Sequence, residues 1–186
     1  MTHPSSSSGL GQFATALAFL AAAFELLATP IQWLFFHAQT LDMLLQQHSH
    51  SMPMLLSGPH VPSTLAQTLI FLLDLLPASL TSLAFGLAAL FFRNLAKGEA
   101  WSTRNTRMIW LVGTLCICLP LIHMTTVALQ SLALGLDLPS AERGLDLFVD
   151  LSGFTLSQIV LGLLLCSFSR LIKQAKSLSD EQSMFV

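Results

Sequence analysis

Apolar residues in this chain are gathered into four long stretches, separated by shorter segments rich in polar residues and proline. A helix needs about 20 residues to cross a hydrocarbon layer of about 30 Å, and each stretch is longer than that. We therefore predict an all-α fold, a polytopic membrane protein built as a bundle of four transmembrane helices. The predicted spans are residues 12–36, 65–92, 108–136 and 145–172.

The remaining segments complete a single domain over residues 1–186. They are predicted as a disordered lead (1–11), an outer loop (37–64), a cytoplasmic basic loop (93–107) and a cytoplasmic tail (173–186). Pro77 and Pro120 lie inside two spans and are expected to kink them locally. We expect the first span to be retained rather than cleaved as a signal peptide, because Glu25 interrupts it and no Lys or Arg precedes it.

The composition agrees with a membrane location. Hydrophobic residues make up 53% of the 186 residues, charged residues only 10%, and the mean hydropathy is +0.69. A soluble core cannot hide so much apolar surface, so the lipid bilayer is the expected surroundings. The net charge of −2 carries no information about nucleic acid, and we expect no direct nucleic-acid partner.

Basic residues are distributed unevenly between the two ends of the predicted helices. Seven of the eight lie at one end, and Arg143 lies at the other. Because Lys and Arg near helix ends are retained on the cytoplasmic side, we predict that both termini are cytoplasmic. The seven are Arg93, Lys97, Arg104 and Arg107 in the basic loop and Arg170, Lys173 and Lys176 at the end of the fourth span.

Four ionisable residues fall within the apolar stretches, where an uncompensated charge costs at least about 2.5 kcal/mol. Depth counted along the helices places Glu25, Asp74 and His123 in the outer half of the membrane and Asp150 near the outer surface. If the first three helices meet, Glu25, Asp74 and His123 form a cluster that carries a proton or a cation. The alternative is structural: each carboxyl group is protonated or hydrogen-bonded and only fixes helix register. The neighbours considered as partners are Thr29, Thr81, Thr125 and Gln130.

Histidine and cysteine give weak signals for a metal site. His48, His50 and His60 lie in the outer loop and are of a residue type that binds zinc or copper, but their spacing matches no familiar metal-binding motif and no cysteine joins them. We expect neither a metal nor a cofactor. The three cysteines fall inside predicted spans and are expected to pack as small residues without a disulfide.

Small residues recur at helical spacing on two spans and indicate faces that let helices approach closely. They are Ala78, Ser82 and Gly86, in register with Asp74, on the second span, and Gly153 and Ser157 on the fourth. We interpret both faces as intramolecular seams and keep homodimerisation as the alternative.

The basic loop contains signals for a tight turn between two helices. Gly98 after Lys97 is typical of a helix C-cap, Ser102 of the N-cap of the next helix, and Trp101 of an anchor at the membrane interface. The cations of the loop are also expected to attract anionic headgroups.

Two short motifs resemble those of a known family. Aromatic-Arg93-Asn-Leu-x-x-Gly98-Glu99-x-Trp101-Ser102-x-x-Asn105 follows the second span, and Ala175-x-x-Leu178-x-x-Glu181-Gln182-x-x-x-Val186 closes the chain. Both are similar to motifs of a bacterial four-helix integral membrane family of unknown function (domain of unknown function 2975), whose members usually carry phenylalanine where Trp101 stands. The resemblance implies coverage of nearly the whole chain, with no match in the outer loop, and a location in the bacterial inner membrane; it supplies no catalytic residues. Because members are often encoded beside a small helix-turn-helix protein, it implies a cytoplasmic transcriptional regulator as the partner.

These features predict a non-enzymatic signalling or interaction protein that acts on a cytoplasmic partner. Its tail is either a docking peptide for that partner or an amphipathic segment resting on the bilayer. The alternative function is a small proton- or ion-coupled transporter that uses Glu25, Asp74 and His123. An enzyme is not expected, because the chain has no Ser/His/Asp or HExxH arrangement. The residues expected to contact the partner are Arg93, Lys97, Gly98, Glu99, Trp101, Ser102, Arg104, Asn105, Arg107, Leu178, Glu181 and Val186.

Overall fold

The computed structural model describes residues 7–56, 61–99, 102–139, 144–146, 149–150 and 152–183. Within these ranges the chain is helical and contains no strand, which confirms the predicted all-α fold. The helices are α1 (Ser7–Phe35), α2 (His37–His48), α3 (Thr64–Ala96), α4 (Thr103–Gly135) and α5 (Gly153–Ser183), with a short 3-10 helix over Pro53–Leu56.

Four of these helices, α1, α3, α4 and α5, are long and apolar enough to cross a membrane. At most 28% of the most apolar window of any of them is buried inside the protein. Their apolar side chains therefore face mostly outward, which suits helices surrounded by lipid. The chain is a multi-pass, membrane-spanning protein.

The ends of the helices differ most from the sequence prediction at α5. This helix begins at Gly153 rather than residue 145 and continues to Ser183 rather than residue 172. Ser152 fixes its start, because the Ser152 Oγ accepts the backbone N–H of Thr155 at 3.3 Å. At the other terminus α1 begins at Ser7, so the predicted lead is helical from that residue onward.

Three prolines lie inside continuous helices. Pro77 is within α3 and Pro120 within α4, as expected, and Pro30 is within α1. The local kinks at Pro77 and Pro120 stay a prediction.

The chain divides into two compact units. One, which we call the basic-loop unit, comprises Met1–Phe24, Leu80–Pro120 and Ser152–Val186. The other, the outer-loop unit, comprises Glu25–Ser79 and Leu121–Leu151.

The outer-loop unit has a hydrophobic core of its own. The sequence predicts residues 37–64 as an outer loop, but in the structure the first part of this segment is the amphipathic helix α2. The buried residues of α2 recur at helical spacing, at positions 40 and 41, 44 and 45, and 48, and therefore share one face of the helix. The core residues are Leu41, Leu44, Leu45, Met52, Leu55, Ile70, Ala133, Leu134 and Leu138.

Helices α4 and α5 approach each other closely in the basic-loop unit. A Cβ atom on Gly162 would lie 2.6 Å from the carbonyl oxygen of Gly113, and one on Gly113 would lie 2.8 Å from the carbonyl oxygen of Gly162. Only glycine at both positions allows the two backbones to come this close. Neither glycine belongs to the small-residue faces predicted from the sequence.

The predicted small-residue seams are correct only in part. The Ser82 hydroxyl donates to the carbonyl oxygen of Ala22 at 2.7 Å, so that part of the α3 face does contact α1. A Cβ atom on Gly86 or Gly153 would meet nothing within 4 Å in the described part of the chain. The prediction of close helix packing at those two glycines is therefore wrong.

Candidate functional site

Asp74 joins three helices in the outer-loop unit. Its carboxylate accepts the indole N–H of Trp33 from α1 at 2.9 Å and the side-chain amide of Gln130 from α4 at 2.6 Å. Gln130 is buried, and the Trp33 ring packs edge-on against Phe71 with 5.8 Å between ring centroids. Both carboxylate oxygens therefore have a donor that surrounding side chains hold in place.

Hydrogen bonds do not join Glu25, Asp74 and His123 into the predicted cluster within the described part of the chain. The described hydrogen bonds of the Asp74 carboxylate come from Trp33 and Gln130 and not from His123. Glu25 is half-buried and makes no hydrogen bond within the described part of the chain. Asp150 precedes the first residue of α5 and therefore lies outside the candidate span.

The partners of Asp74 match the structural alternative better than the proton-carrying one. Gln130 was among the neighbours considered from the sequence, whereas Trp33 was missed. A tryptophan 41 positions away gives no local signal of such a contact. Neither an indole N–H nor an amide titrates near neutral pH, so these donors do not extend a chain of proton carriers.

His48 is a buried histidine with one polar partner. Its Nδ1 lies 3.1 Å from the Asp146 carboxylate, and its fully buried Nε2 has no hydrogen-bond partner among the described residues. Asp146 is held in turn, because its backbone N–H donates to the Ser131 hydroxyl at 3.0 Å. The described residues contain no group of three or more side chains suited to a metal. His50 is exposed, and His60 lies outside the described residues.

The turn between α3 and α4 closes as the sequence indicates. Gly98 adopts a φ of 80°, and the N–H of Glu99 donates to the carbonyl oxygen of Asn94 at 3.0 Å, which is the arrangement of a glycine C-cap. The Ser102 hydroxyl accepts the backbone N–H of Asn105 at 3.2 Å and caps α4. Trp101 lies outside the described residues.

Two asparagine side chains lock this turn from the inside. Asn94 donates to the side-chain oxygen of Asn105 at 2.8 Å, and Asn105 donates to the backbone oxygen of Glu99 at 2.9 Å. Asn105 is fully buried and Asn94 nearly so. Most of the loop motif therefore builds the turn, and the side chain of Asn105 is not available at the surface.

The cations of the basic-loop unit are exposed and unpaired. Arg93, Lys97, Arg104, Arg107, Arg170 and Lys173 are exposed, and Lys176 is partly so. None of these seven forms an ion pair within the described part of the chain. The described part of this surface therefore carries positive charge that no described carboxylate pairs with.

The C-terminal part of α5 is an exposed helix. Leu178 is 60% exposed and Glu181 is exposed, and α5 runs unbroken through both to Ser183. Val186 lies outside the described residues. The tail from Lys173 to Ser183 is thus a continuation of the last spanning helix and not a separate segment.

No family model, curated protein or solved structure matches this chain. The resemblance of the two motifs to the bacterial four-helix family stays a prediction.

Proposed function

We propose that this protein is a non-enzymatic membrane protein that binds a cytoplasmic partner through the C-terminal extension of α5. The observation that carries the proposal is that α5 continues unbroken from its apolar part into the polar, charged segment 173–183. At 1.5 Å per residue, this segment of 11 residues adds about 16 Å to the helix.

The extension has the surface of a docking helix. Leu178, at the end of the candidate span, is 60% exposed, and covering an exposed leucine with an apolar partner surface is favourable. Glu181 follows three residues later and lies beside it on the helix, next to an apolar anchor that a groove in a partner can take. The unpaired cations of the basic-loop unit support a cytoplasmic location for this end.

The partner proposed is a small helix-turn-helix regulator, which is the class that the motif resemblance implies. In this scheme the membrane protein holds the regulator at the bilayer and contacts no nucleic acid itself. The bacterial inner membrane and cytoplasmic termini belong to the same proposal.

The transporter alternative receives less support. Proton transfer through Asp74 needs a titratable neighbour in hydrogen-bond contact, and both observed donors to its carboxylate are non-titrating groups. Glu25 makes no hydrogen bond to Asp74 or His123 among the described residues. The arrangement favours a carboxylate that fixes α1, α3 and α4 in register.

Co-purification tests the proposal. Tagged protein is extracted in mild detergent after crosslinking, beside Leu178→Glu and Ser177→Glu variants that carry the same added charge on different faces of α5. We expect the wild type and Ser177→Glu to retain a helix-turn-helix protein and Leu178→Glu to lose it, at equal amounts of membrane protein. Retention of the same proteins by all three would contradict docking at this face.

A further inference from the structure

A groove of about 360 Å³ lies between α4 and α5 in the basic-loop unit. Half of its lining residues are cationic, and none is acidic. The lining residues are Thr103, Thr106, Arg107, Trp110, Ser169, Arg170, Lys173 and Lys176. Four of the chain's eight Lys and Arg residues therefore share one cavity.

These four charges have little to neutralise them within the protein. Arg107, Arg170 and Lys173 make no hydrogen bond or ion pair in the described part of the chain. Lys176 donates to the neutral Thr103 hydroxyl at 3.2 Å and forms no ion pair with the described carboxylates. Like charges in one cavity repel each other, so a bound anion stabilises the arrangement.

Two of the three hydroxyls that line the groove already donate to backbone oxygens. Ser169 donates to the backbone oxygen of Thr106 at 2.8 Å, and the Thr106 hydroxyl donates to the backbone oxygen of Ser102 at 3.2 Å. Among the described residues, the donors left for a ligand are the guanidinium and ammonium groups, together with the Thr103 hydroxyl and the Trp110 indole N–H. Guanidinium groups bind phosphate through paired N–H donors, and ammonium groups bind it as point charges.

Trp110 indicates the depth of the groove in the membrane. It lies one helical turn from Arg107 toward the middle of α4, and its side chain is 43% exposed. Tryptophan on a spanning helix is enriched at the level of the lipid headgroups. A lipid phosphate held by the four cations then lies at the level of the headgroups, and the acyl chains of that lipid lie beside the apolar helices.

We propose that this groove binds the phosphate of an anionic phospholipid headgroup. The proposal goes beyond general attraction of the basic loop to lipid, because it assigns a cavity and four residues on two helices. Arg93 and Arg104 are exposed cations that do not line the groove, so they serve as matched controls. The proposal does not depend on the protein partner of α5.

The test compares lipid retention by the full-length protein. Three forms of the protein are purified and exchanged into mixed micelles of phosphatidylglycerol and phosphatidylcholine, and the lipid bound to each is measured by native mass spectrometry. The forms are wild type, the groove pair Arg107→Gln/Arg170→Gln and the control pair Arg93→Gln/Arg104→Gln. Each basic residue near an anionic surface contributes about fivefold, so loss of two from the groove lowers phosphatidylglycerol retention by about 25-fold. The control pair carries the same change in net charge but does not line the groove, so its loss of phosphatidylglycerol is smaller than that of the groove pair, by about fivefold or more.

Four results would overturn the proposal. Equal losses in both double variants would assign the effect to net charge, and equal retention of the two lipids by wild type would remove the anionic preference. Thermal stabilisation of wild type by inorganic phosphate alone, as large as that given by phosphatidylglycerol, would assign the groove to free phosphate. Circular dichroism on each variant confirms that helical content is unchanged before retention is compared. If the groove variant loses a protein partner but retains lipid normally, the groove is a protein docking surface instead.

Discussion

Replacing Gly162 with alanine places a methyl group where α4 and α5 are closest. The new Cβ lies 2.6 Å from the carbonyl oxygen of Gly113 and 2.7 Å from the Cγ1 atom of Ile117. The second distance is almost 1 Å short of the roughly 3.5 Å at which two carbon atoms normally pack. Because the Gly113 oxygen belongs to the backbone, no side-chain rotation relieves the overlap, and the helices must separate.

The matched control is Gly86→Ala. Gly86 also lies inside a spanning helix, but a Cβ there meets nothing within 4 Å in the described part of the chain. Both variants receive the same gain in helix propensity, about 0.5–1 kcal/mol, so this contribution cancels when they are compared. The remaining difference is the cost of overpacking, about 1–3 kcal/mol.

Thermal unfolding in detergent measures this difference. With about 2–4 °C per kcal/mol for a chain of this size, we expect Gly162→Ala to unfold roughly 2–12 °C below Gly86→Ala. A Gly113→Ala variant should behave like Gly162→Ala, since its Cβ would lie 2.8 Å from the Gly162 oxygen. If the two glycine positions tolerate alanine as well as Gly86 does, the close approach of α4 and α5 is refuted.

Three further substitutions test the polar contacts. Asn105→Ala removes both side-chain bonds that lock the turn and should lower the free energy of unfolding by about 1–3 kcal/mol, whereas the exposed Arg104→Ala should stay within about 0.5 kcal/mol in the same thermal assay. Asp146→Ala removes the carboxylate that buried His48 contacts in the described part of the chain, so we expect a similar loss of stability. A double-mutant cycle with His48→Leu should show a non-additive result, and full additivity would mean that the pair is uncoupled. Asp74→Asn replaces one carboxylate oxygen by an NH₂ group, which faces either the Trp33 indole N–H or the Gln130 amide, both of them donors. We expect lower stability and unchanged proton flux into liposomes. Loss of flux with normal stability would favour the transporter.

Features carried by local sequence could be predicted. The four spans follow from apolar stretches of more than about 20 residues. In lipid, a single segment satisfies its backbone hydrogen bonds by forming a helix, so length and composition are enough to predict one. The ends at Gly98 and Ser102 follow from residue types that complete a helix terminus with their own backbone or side chain. The docking function and the orientation in the membrane are not features of local structure, and both stay predictions.

Features that depend on distant partners could not be predicted. Trp33 reaches Asp74 across 41 positions, and Gly113 meets Gly162 only because α4 and α5 pack against each other. Small-residue spacing predicts close helix packing at Gly86 and Gly153, but a Cβ there meets nothing within 4 Å in the described part of the chain. The spacing defines a face of one helix and does not show which helix, if any, packs against that face.

The start of α5 was misplaced for a similar reason. The sequence predicts the fourth span from residue 145, but in the structure residues 144–146 contact other parts of the outer-loop unit. A Cβ on Gly144 would lie 2.6 Å from the backbone oxygen of Ser51, and Asp146 pairs with His48. These contacts hold the segment against the outer loop, and the helix begins only after Ser152.

Photo-crosslinking in living cells tests the central claim, docking of a cytoplasmic partner on α5, most directly. A photoreactive amino acid is placed at Leu178 or, as the control, at exposed Gln46 on α2, and the crosslinked proteins are identified after irradiation. The account predicts a crosslink from position 178 to a small helix-turn-helix protein and none from position 46. Crosslinks from position 178 to lipid alone, or the same protein from both positions, would contradict it.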